Sequence, residues 1–211
     1  DDAKYTQYDK ASLSEIVGKS PFGTLVVAFD RQNYDEFVSH CGADAAVVFD
    51  YMFSSAKNNY TRLIVAPDFK SEIMLSAYDK IVFLDKPVTD GLIAYLNKNT
   101  KAEIFVPKDE GRARFVKGLD VSRLTLGKYY DYIRKNPDIS ASNIYSYMKS
   151  LKNREPEIDL PELTLAIRAF SELGLIREES GKYRLSIVKG EKRELSESKV
   201  LQQVERVGRQ V

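Results

Sequence analysis

Cysteine, histidine and tryptophan are almost absent from this chain, and two of these shortages exclude whole classes of protein. A single cysteine, Cys41, excludes a disulfide framework within the chain and is typical of a cytoplasmic protein. A single histidine, His40, leaves no histidine cluster for a zinc site, and the adjacent His40-Cys41 pair cannot complete one. No apolar run reaches the ~20 residues that cross a bilayer, so we expect no membrane segment.

Net charge and phosphate-binding motifs are also lacking. The chain has 32 Lys and Arg residues against 31 Asp and Glu residues, so no whole-chain basic signal indicates nucleic acid. Residues 119–211 are only mildly basic, with 17 basic and 14 acidic side chains. The glycine motifs G-x-x-x-x-G-K-[ST] and G-x-G-x-x-G are both missing, so nucleotide binding has no support in the sequence.

Five short, nearly pure apolar segments follow the first twenty residues. They are GTLVVAF, AAVVF, RLIVA, KIVFL and AEIFV. Segments rich in Val, Ile and Phe are typical of strands buried on both faces of a parallel sheet. Helical patterns lie between them, at the spacing of α/β crossovers. We predict a lead-in with a short helix at residues 1–21, then an open, mostly parallel, Rossmann-like α/β sheet of about five strands at residues 22–118.

The last third of the chain has a different pattern. The segment PKDEGRARFVKG carries two glycines and predicts a domain boundary. Helical patterns then begin near Ser122, near Ser140 as a candidate cap, and at Leu160. Two alternating runs around Ser180-Gly181 predict a hairpin. Three helices closed by a hairpin predict a winged-helix-like α+β domain at residues 119–188, followed by a charged helical tail at residues 189–211.

Aspartates follow four of the predicted strands closely. They are Asp30, Asp50, Asp68 and Asp85. In a parallel sheet such carboxylates gather at the carboxyl edge, where open α/β folds bind ligands, and clustered carboxylates can hold Mg²⁺ or Mn²⁺. An aspartate after a strand also caps the following helix, and the chain offers no second catalytic element. We favour capping, with a stand-alone metal-dependent phosphoesterase that uses these four residues as the alternative.

Two small basic clusters are candidates for contacts with a nucleic-acid backbone. They comprise Arg112, Arg114, Lys117, Lys182 and Arg184. Acidic residues are interleaved with the hairpin cluster, and the helix from Leu160 to Leu173 is itself acidic, which disfavours entry into a groove lined by phosphates. The second domain therefore suits a protein ligand as well as it suits DNA. A protein would bind the exposed face of that helix and the tail.

Three segments carry a resemblance to a known family. FSELGLIREESGKYRL, KRELSESKVLQQ and YDKIVFLDKPV resemble the C-terminal domain of the RecJ single-strand-DNA-specific exonucleases of low-GC Gram-positive bacteria. The resemblance spans the chain from the first strand to the tail. It implies a parent enzyme that degrades single-stranded DNA in the 5′→3′ direction during recombination and repair, with Mn²⁺ or Mg²⁺ bound by DHH-type motifs.

None of those catalytic motifs occurs here. The resemblance therefore implies a non-catalytic accessory domain without a cofactor of its own, preceded in the parent chain by the catalytic core. The start at Asp1-Asp2 leads us to expect a piece of a longer protein. The implied partners are single-stranded DNA, the catalytic core, and repair proteins such as single-strand-binding protein or a helicase. A purely structural role is also open.

Overall fold

The computed structural model describes residues 3–41, 46–50, 56–69, 73–87, 90–108, 119–179, 181–190 and 192–208. The chain divides into two compact units, one of residues 1–118 with 206–211 and one of residues 119–205. Most of the predicted boundary segment, residues 109–118, lies outside the described residues, and the predicted domain bounds stay a prediction. No helix in the described ranges is long and apolar enough to cross a membrane.

The first unit is built on a six-stranded sheet in which every pair of neighbouring strands is parallel. The strands are β1 Thr6–Tyr8, β2 Thr24–Ala28, β3 Val48–Phe49, β4 Arg62–Val65, β5 Lys80–Phe83 and β6 Glu103–Pro107. The helices of this unit are α1 Leu13–Val17, α2 Arg31–His40 and α3 Asp90–Asn99. The predicted α/β fold with a parallel sheet is therefore confirmed.

The sheet has one strand more than the expected five, because β1 lies in the segment that was predicted as a lead-in. This strand has three residues, and only Tyr8 is buried. It pairs on one side only, with β6, so it forms the edge of the sheet. An edge strand with two exposed polar residues carries no apolar run, and the sequence pattern therefore gives no sign of it.

Strand β2 is the centre of the sheet, and all five of its residues are buried. It lies between β4 and β5 in the order β1-β6-β5-β2-β4-β3. The chain builds β3 and β4 on one side of β2 and then crosses to build β5 and β6 on the other. The carboxyl ends of β2 and β5 therefore form the topological switch point, where open α/β sheets usually bind their ligands.

The described part of residues 119–188, in the second unit, has three helices and a two-stranded antiparallel sheet. The helices are α4 Arg123–Lys135, α5 Ile144–Arg154 and α6 Leu160–Glu172, and the strands are β7 Ile176–Glu178 and β8 Leu185–Ile187. A single antiparallel bridge joins Ala141, between α4 and α5, to Tyr183. Because this bridge keeps the chain extended at Ala141, helix α5 begins only at Ile144, later than a cap at Ser140 would place it. Its cap is Asn143, which accepts a hydrogen bond from the Ser146 N–H, and the expectation of a cap at Ser140 is wrong.

Helix α6 is the core of this unit. Nine of its residues are buried, from Pro161 to Phe170. Its three acidic residues have structural roles: Asp159 caps the helix, Glu162 accepts hydrogen bonds from the Asp120 N–H and the Tyr129 hydroxyl, and Glu172 binds the tail. Helix α6 therefore presents few side chains to a partner, and its role as a docking face stays a prediction.

The tail begins with the Leu195–Glu197 turn and continues as helix α7, Lys199–Gly208. Glu172 accepts hydrogen bonds from the Ser198 hydroxyl at 2.8 Å, the Lys199 N–H at 2.7 Å and the Val200 N–H at 3.2 Å. These donors include the first N–H groups of α7, which have no partner within the helix. The end of the L-S-E-S-K sequence, Ser198-Lys199, thus attaches the start of α7 to Glu172 of α6.

We expect Glu172→Ala to detach the start of α7. Loss of a helix cap costs about 0.5–2 kcal/mol. Amide hydrogen exchange should show faster exchange at residues 199–204 with little change in α4 or β7. Glu197→Ala is the matched control, because Glu197 makes only a surface ion pair with Arg193 at 3.2 Å, which contributes less than about 1 kcal/mol. Equal exchange in both variants would show that Glu172 does not hold α7.

Candidate nucleic-acid interface

The switch point of the sheet is occupied by a carboxylate of the chain itself. Asp85, two residues after β5, accepts hydrogen bonds from the Phe29 N–H at 3.1 Å and the Asp30 N–H at 3.0 Å. The Asn33 side-chain amide donates to the same carboxylate at 3.3 Å. In nucleotide-binding folds the N–H groups at this strand-to-helix turn bind phosphate. Here the Asp85 carboxylate accepts the hydrogen bonds of these N–H groups, and its negative charge repels a phosphate that would bind there.

Burial sets the proton affinity of Asp85. Loss of hydration raises the pKa of this carboxyl from 3.8 to about 6, against the lowering effect of its hydrogen bonds. The nearby Asp30 carboxylate raises it further by repulsion. Asp85 therefore changes charge in a mildly acidic range although it is almost entirely enclosed.

The other strand-end aspartates have separate structural partners. Asp30 caps α2 by accepting the Gln32 N–H at 2.8 Å, as the capping interpretation predicts. Asp50 follows the two-residue β3, so the structure places it beside the interior of β4 and away from the carboxyl edge. It is 2% exposed and forms an ion pair with Arg62 at 2.7 Å. Asp68 lies three residues beyond β4 and is mostly buried.

These placements do not assemble a metal site. The structure brings Asp30 and Asp85 together, but Asp50 is paired with the Arg62 side chain elsewhere in the sheet. Among the described residues, no group of three or more His, Cys, Asp or Glu side chains is arranged to hold a metal ion. In the described residues Asp30 and Asp85 act as hydrogen-bond acceptors and Asp50 as the partner of Arg62.

His40 and Cys41 lie at the end of α2, beside a cavity of about 770 Å³ that Leu13 of α1 and Phe37 of α2 also line. His40 contacts the Glu36 carbonyl through Nδ1 at 2.6 Å. Partial burial raises the pKa of the Cys41 thiol, which disfavours the reactive thiolate. The pair therefore lacks the features of an activated nucleophile.

Of the five predicted DNA contacts, two can be located. Arg112, Arg114 and Lys117 lie outside the described residues. Lys182 is exposed at the turn of the β7–β8 hairpin. Arg184 already has partners within the chain: its Nε donates to the Pro137 carbonyl at 2.9 Å and lies 3.9 Å from the Glu179 carboxylate. Arg184 thus anchors the hairpin to the end of α4 as well as presenting charge.

The hairpin also presents a cation that the sequence reasoning missed. Arg177 is exposed and lies opposite Ser186, while Ile176 and Leu185 on the alternate positions are buried. Because side chains alternate between faces, Arg177 shares the outer face with Arg184. The apolar Ile176 directly before Arg177, in a segment predicted as a strand, was the available signal. The outer face of the hairpin and its turn, with Arg177, Lys182 and Arg184 against Glu179, form a modestly basic surface, which we term the hairpin surface.

Comparison with known proteins identifies the family. The family model for the C-terminal domain of single-strand DNA-specific exonuclease matches residues 15–207. This match covers most of the chain, so the chain belongs to that family and the resemblance seen in the sequence is confirmed. No curated protein and no solved structure matches the chain.

The raised pKa of Asp85 predicts a pH-dependent stability. In the unfolded chain the pKa has its ordinary value, so the folded chain binds the Asp85 proton more tightly. The free energy of unfolding should therefore fall as the pH rises from about 4 to about 6, by roughly 2–3 kcal/mol for this one group. Urea unfolding across this range measures the slope.

Asp85→Asn should remove most of that slope, whereas Asp35→Asn, on the exposed side of α2, should leave it. Carbon-detected NMR of the Asp85 carboxyl gives an independent value. A carboxyl that titrates at or below its ordinary pKa would contradict the prediction.

Metal ions should not stabilise the chain. A ligand that binds only the folded state raises its melting temperature, and the strand-end aspartates are already engaged. We expect millimolar Mn²⁺ or Mg²⁺ to shift the melting temperature by less than about 1 °C relative to KCl at equal ionic strength. A rise of several degrees that Asp30→Asn and Asp85→Asn abolish would restore the phosphoesterase alternative.

Proposed function

We propose that this chain is a non-catalytic accessory domain of a RecJ-like 5′→3′ exonuclease and that it helps single-stranded DNA to engage the enzyme. The observation that carries the proposal is the family match over residues 15–207, because it ties almost the whole chain to an enzyme acting on single-stranded DNA. The structural use of Asp30, Asp50 and Asp85 supports the non-catalytic part. On this proposal Mn²⁺ or Mg²⁺ belongs to the catalytic core of the parent protein.

We further propose that residues 119–188 form a winged helix. The order of three helices and a hairpin supports this, as does the isolated Ala141–Tyr183 bridge, which joins the connection between the first two helices to the hairpin. In such a domain the β7–β8 hairpin is the wing. Wings often contact the nucleic-acid backbone, and the hairpin surface has the charge for it.

The burial of α6 favours the wing over the third helix as the contact. A helix that reads a groove must present side chains to it, and α6 has almost none to present. A wing that follows the backbone needs no groove and reads no base edge, which suits a single strand of any sequence. The same burial weakens the alternative in which α6 docks a repair protein.

Charge removal on the hairpin surface tests this proposal. Lys182→Ala and Arg177→Ala should each weaken binding to a fluorescent single-stranded oligonucleotide. Each should also reduce the slope of log K against log salt by about 0.7, the value for one lost phosphate contact on a single strand. Lys98→Ala on α3 is the matched control, since it removes an exposed lysine from the first unit.

A combined variant tests all five DNA contacts that were predicted from the sequence. It replaces Arg112, Arg114, Lys117, Lys182 and Arg184 by Glu. We expect it to abolish binding at physiological salt, with a melting temperature measured alongside because Arg184 also anchors the hairpin. An affinity equal to that of the unaltered chain would end the DNA version of the proposal.

A further inference from the structure

Two aromatic side chains are exposed side by side at the amino end of the sheet. Phe22 immediately precedes the turn into β2 and is 50% exposed, and Tyr60 precedes β4 and is 44% exposed. Their ring centroids are 5.5 Å apart, with an angle of 37° between the ring planes. Large aromatic side chains gain free energy by burial, so a pair that remains in water needs an explanation.

The backbone holds these two rings in place. Phe22 and Tyr60 form an isolated antiparallel bridge. It is supported by the Gly23 N–H donating to the Asn59 carbonyl at 2.5 Å and the Thr61 N–H donating to the Pro21 carbonyl at 2.8 Å. Gly23 has a φ of 88°, which strains any other residue, and a Cβ there would also lie 2.9 Å from Asp79 Oδ2. The rings are therefore presented by an ordered turn.

A polar network connects the Tyr60 turn to the interior. The buried Asp50 carboxylate accepts a hydrogen bond from Arg62 Nη1 at 2.7 Å. Arg62 Nη2 donates to Asn58 Oδ1 at 3.0 Å, and the Tyr60 N–H points to the same oxygen at 3.4 Å. This network gives Asp50 a role that differs from metal binding: it orients Arg62, which in turn orders the segment that carries Tyr60.

The surroundings of the two rings are polar and mildly cationic. Lys19 and Lys57 are exposed three residues before Phe22 and Tyr60, on the two segments that form the bridge, and Asn59 is exposed between them. Asp79, beside Gly23 on the β5 side, is the acidic side chain that the structure places next to the pair. Val48 and Met74 are exposed as well, and their N–H groups donate to the carbonyls of Thr61 and Ala56, on the segment that carries Tyr60.

We infer that Phe22 and Tyr60 form a stacking platform for the bases of single-stranded DNA, with Lys19 and Lys57 at the phosphates. Every base has a π-face, so paired rings bind a strand without regard to sequence, and nearby lysines supply the attraction to its backbone. The asparagine amides of the Tyr60 turn add donors and acceptors for base edges. The strand passes on the β4 side of Phe22, away from the Asp79 carboxylate.

This inference rests on the proposed role in engaging single-stranded DNA and adds to it a site in the first unit. The test is a fluorescence-anisotropy titration of the whole chain with a labelled oligothymidylate at two salt concentrations. Phe22→Ala and Tyr60→Ala should each weaken binding roughly tenfold to hundredfold, the range for loss of one stacked base. The salt slope should stay unchanged, because no phosphate contact is lost.

Tyr60→Phe is the matched control, since it keeps the ring and should keep the affinity. Photocrosslinking with 5-iododeoxyuridine gives a second readout that does not depend on a variant folding correctly, and mass spectrometry should locate the crosslink at Phe22 or Tyr60. If the unaltered chain fails to bind, both the proposed function and this inference fall. If it binds, and Lys182→Ala weakens it while both ring variants bind normally without a crosslink at either ring, this inference alone falls.

A protein contact is the competing use of the ring pair. If the protein bound is a second copy of this chain, sedimentation velocity detects the dimer. An unaltered chain that dimerises, with dissociation in Phe22→Ala and no loss of DNA affinity, would assign the rings to that contact and overturn the inference.

Discussion

Backbone N–H groups at the start of a helix need an acceptor, and for α2, α6 and α7 this chain supplies its own carboxylates. Asp85 reaches from the end of β5 to the turn between β2 and α2, where Asp30 caps the helix. Asp159 caps α6, and Glu172 joins α6 to α7. The Asp85 and Glu172 contacts join elements that are far apart in sequence, so the arrangement of each unit depends on an acidic group being used internally.

This use of carboxylates shapes what the molecule can do. Aspartates at the carboxyl edge of a parallel sheet are where metal or nucleotide chemistry is expected, yet here that edge is closed by Asp85. The surface groups on which the proposed DNA contacts rest are the cations of the β7–β8 hairpin in the second unit and the aromatic rings at the amino end of the sheet in the first unit. Cations and exposed aromatic rings are the groups with which proteins generally bind single strands.

The sequence predicts those features that depend on local pattern. Apolar runs locate β2, β4, β5 and β6, and a 3.6-residue period locates α4 and α6. Strand β1 escapes prediction because its three residues are mostly polar and pair on one side. The Asp85 acceptor and the Phe22–Tyr60 pair escape because each joins segments at least 38 residues apart. Their proximity follows from the strand order, which no local pattern encodes.

Titration of the unaltered chain with a fluorescent single-stranded oligonucleotide, at low and at physiological salt, shows whether this chain itself binds single-stranded DNA. We expect binding in the micromolar range that weakens steeply as salt rises, because cations at the protein surface release counterions from the strand. No binding at low salt would show that the chain does not engage single-stranded DNA by itself, and would leave it as a docking or structural element of the exonuclease.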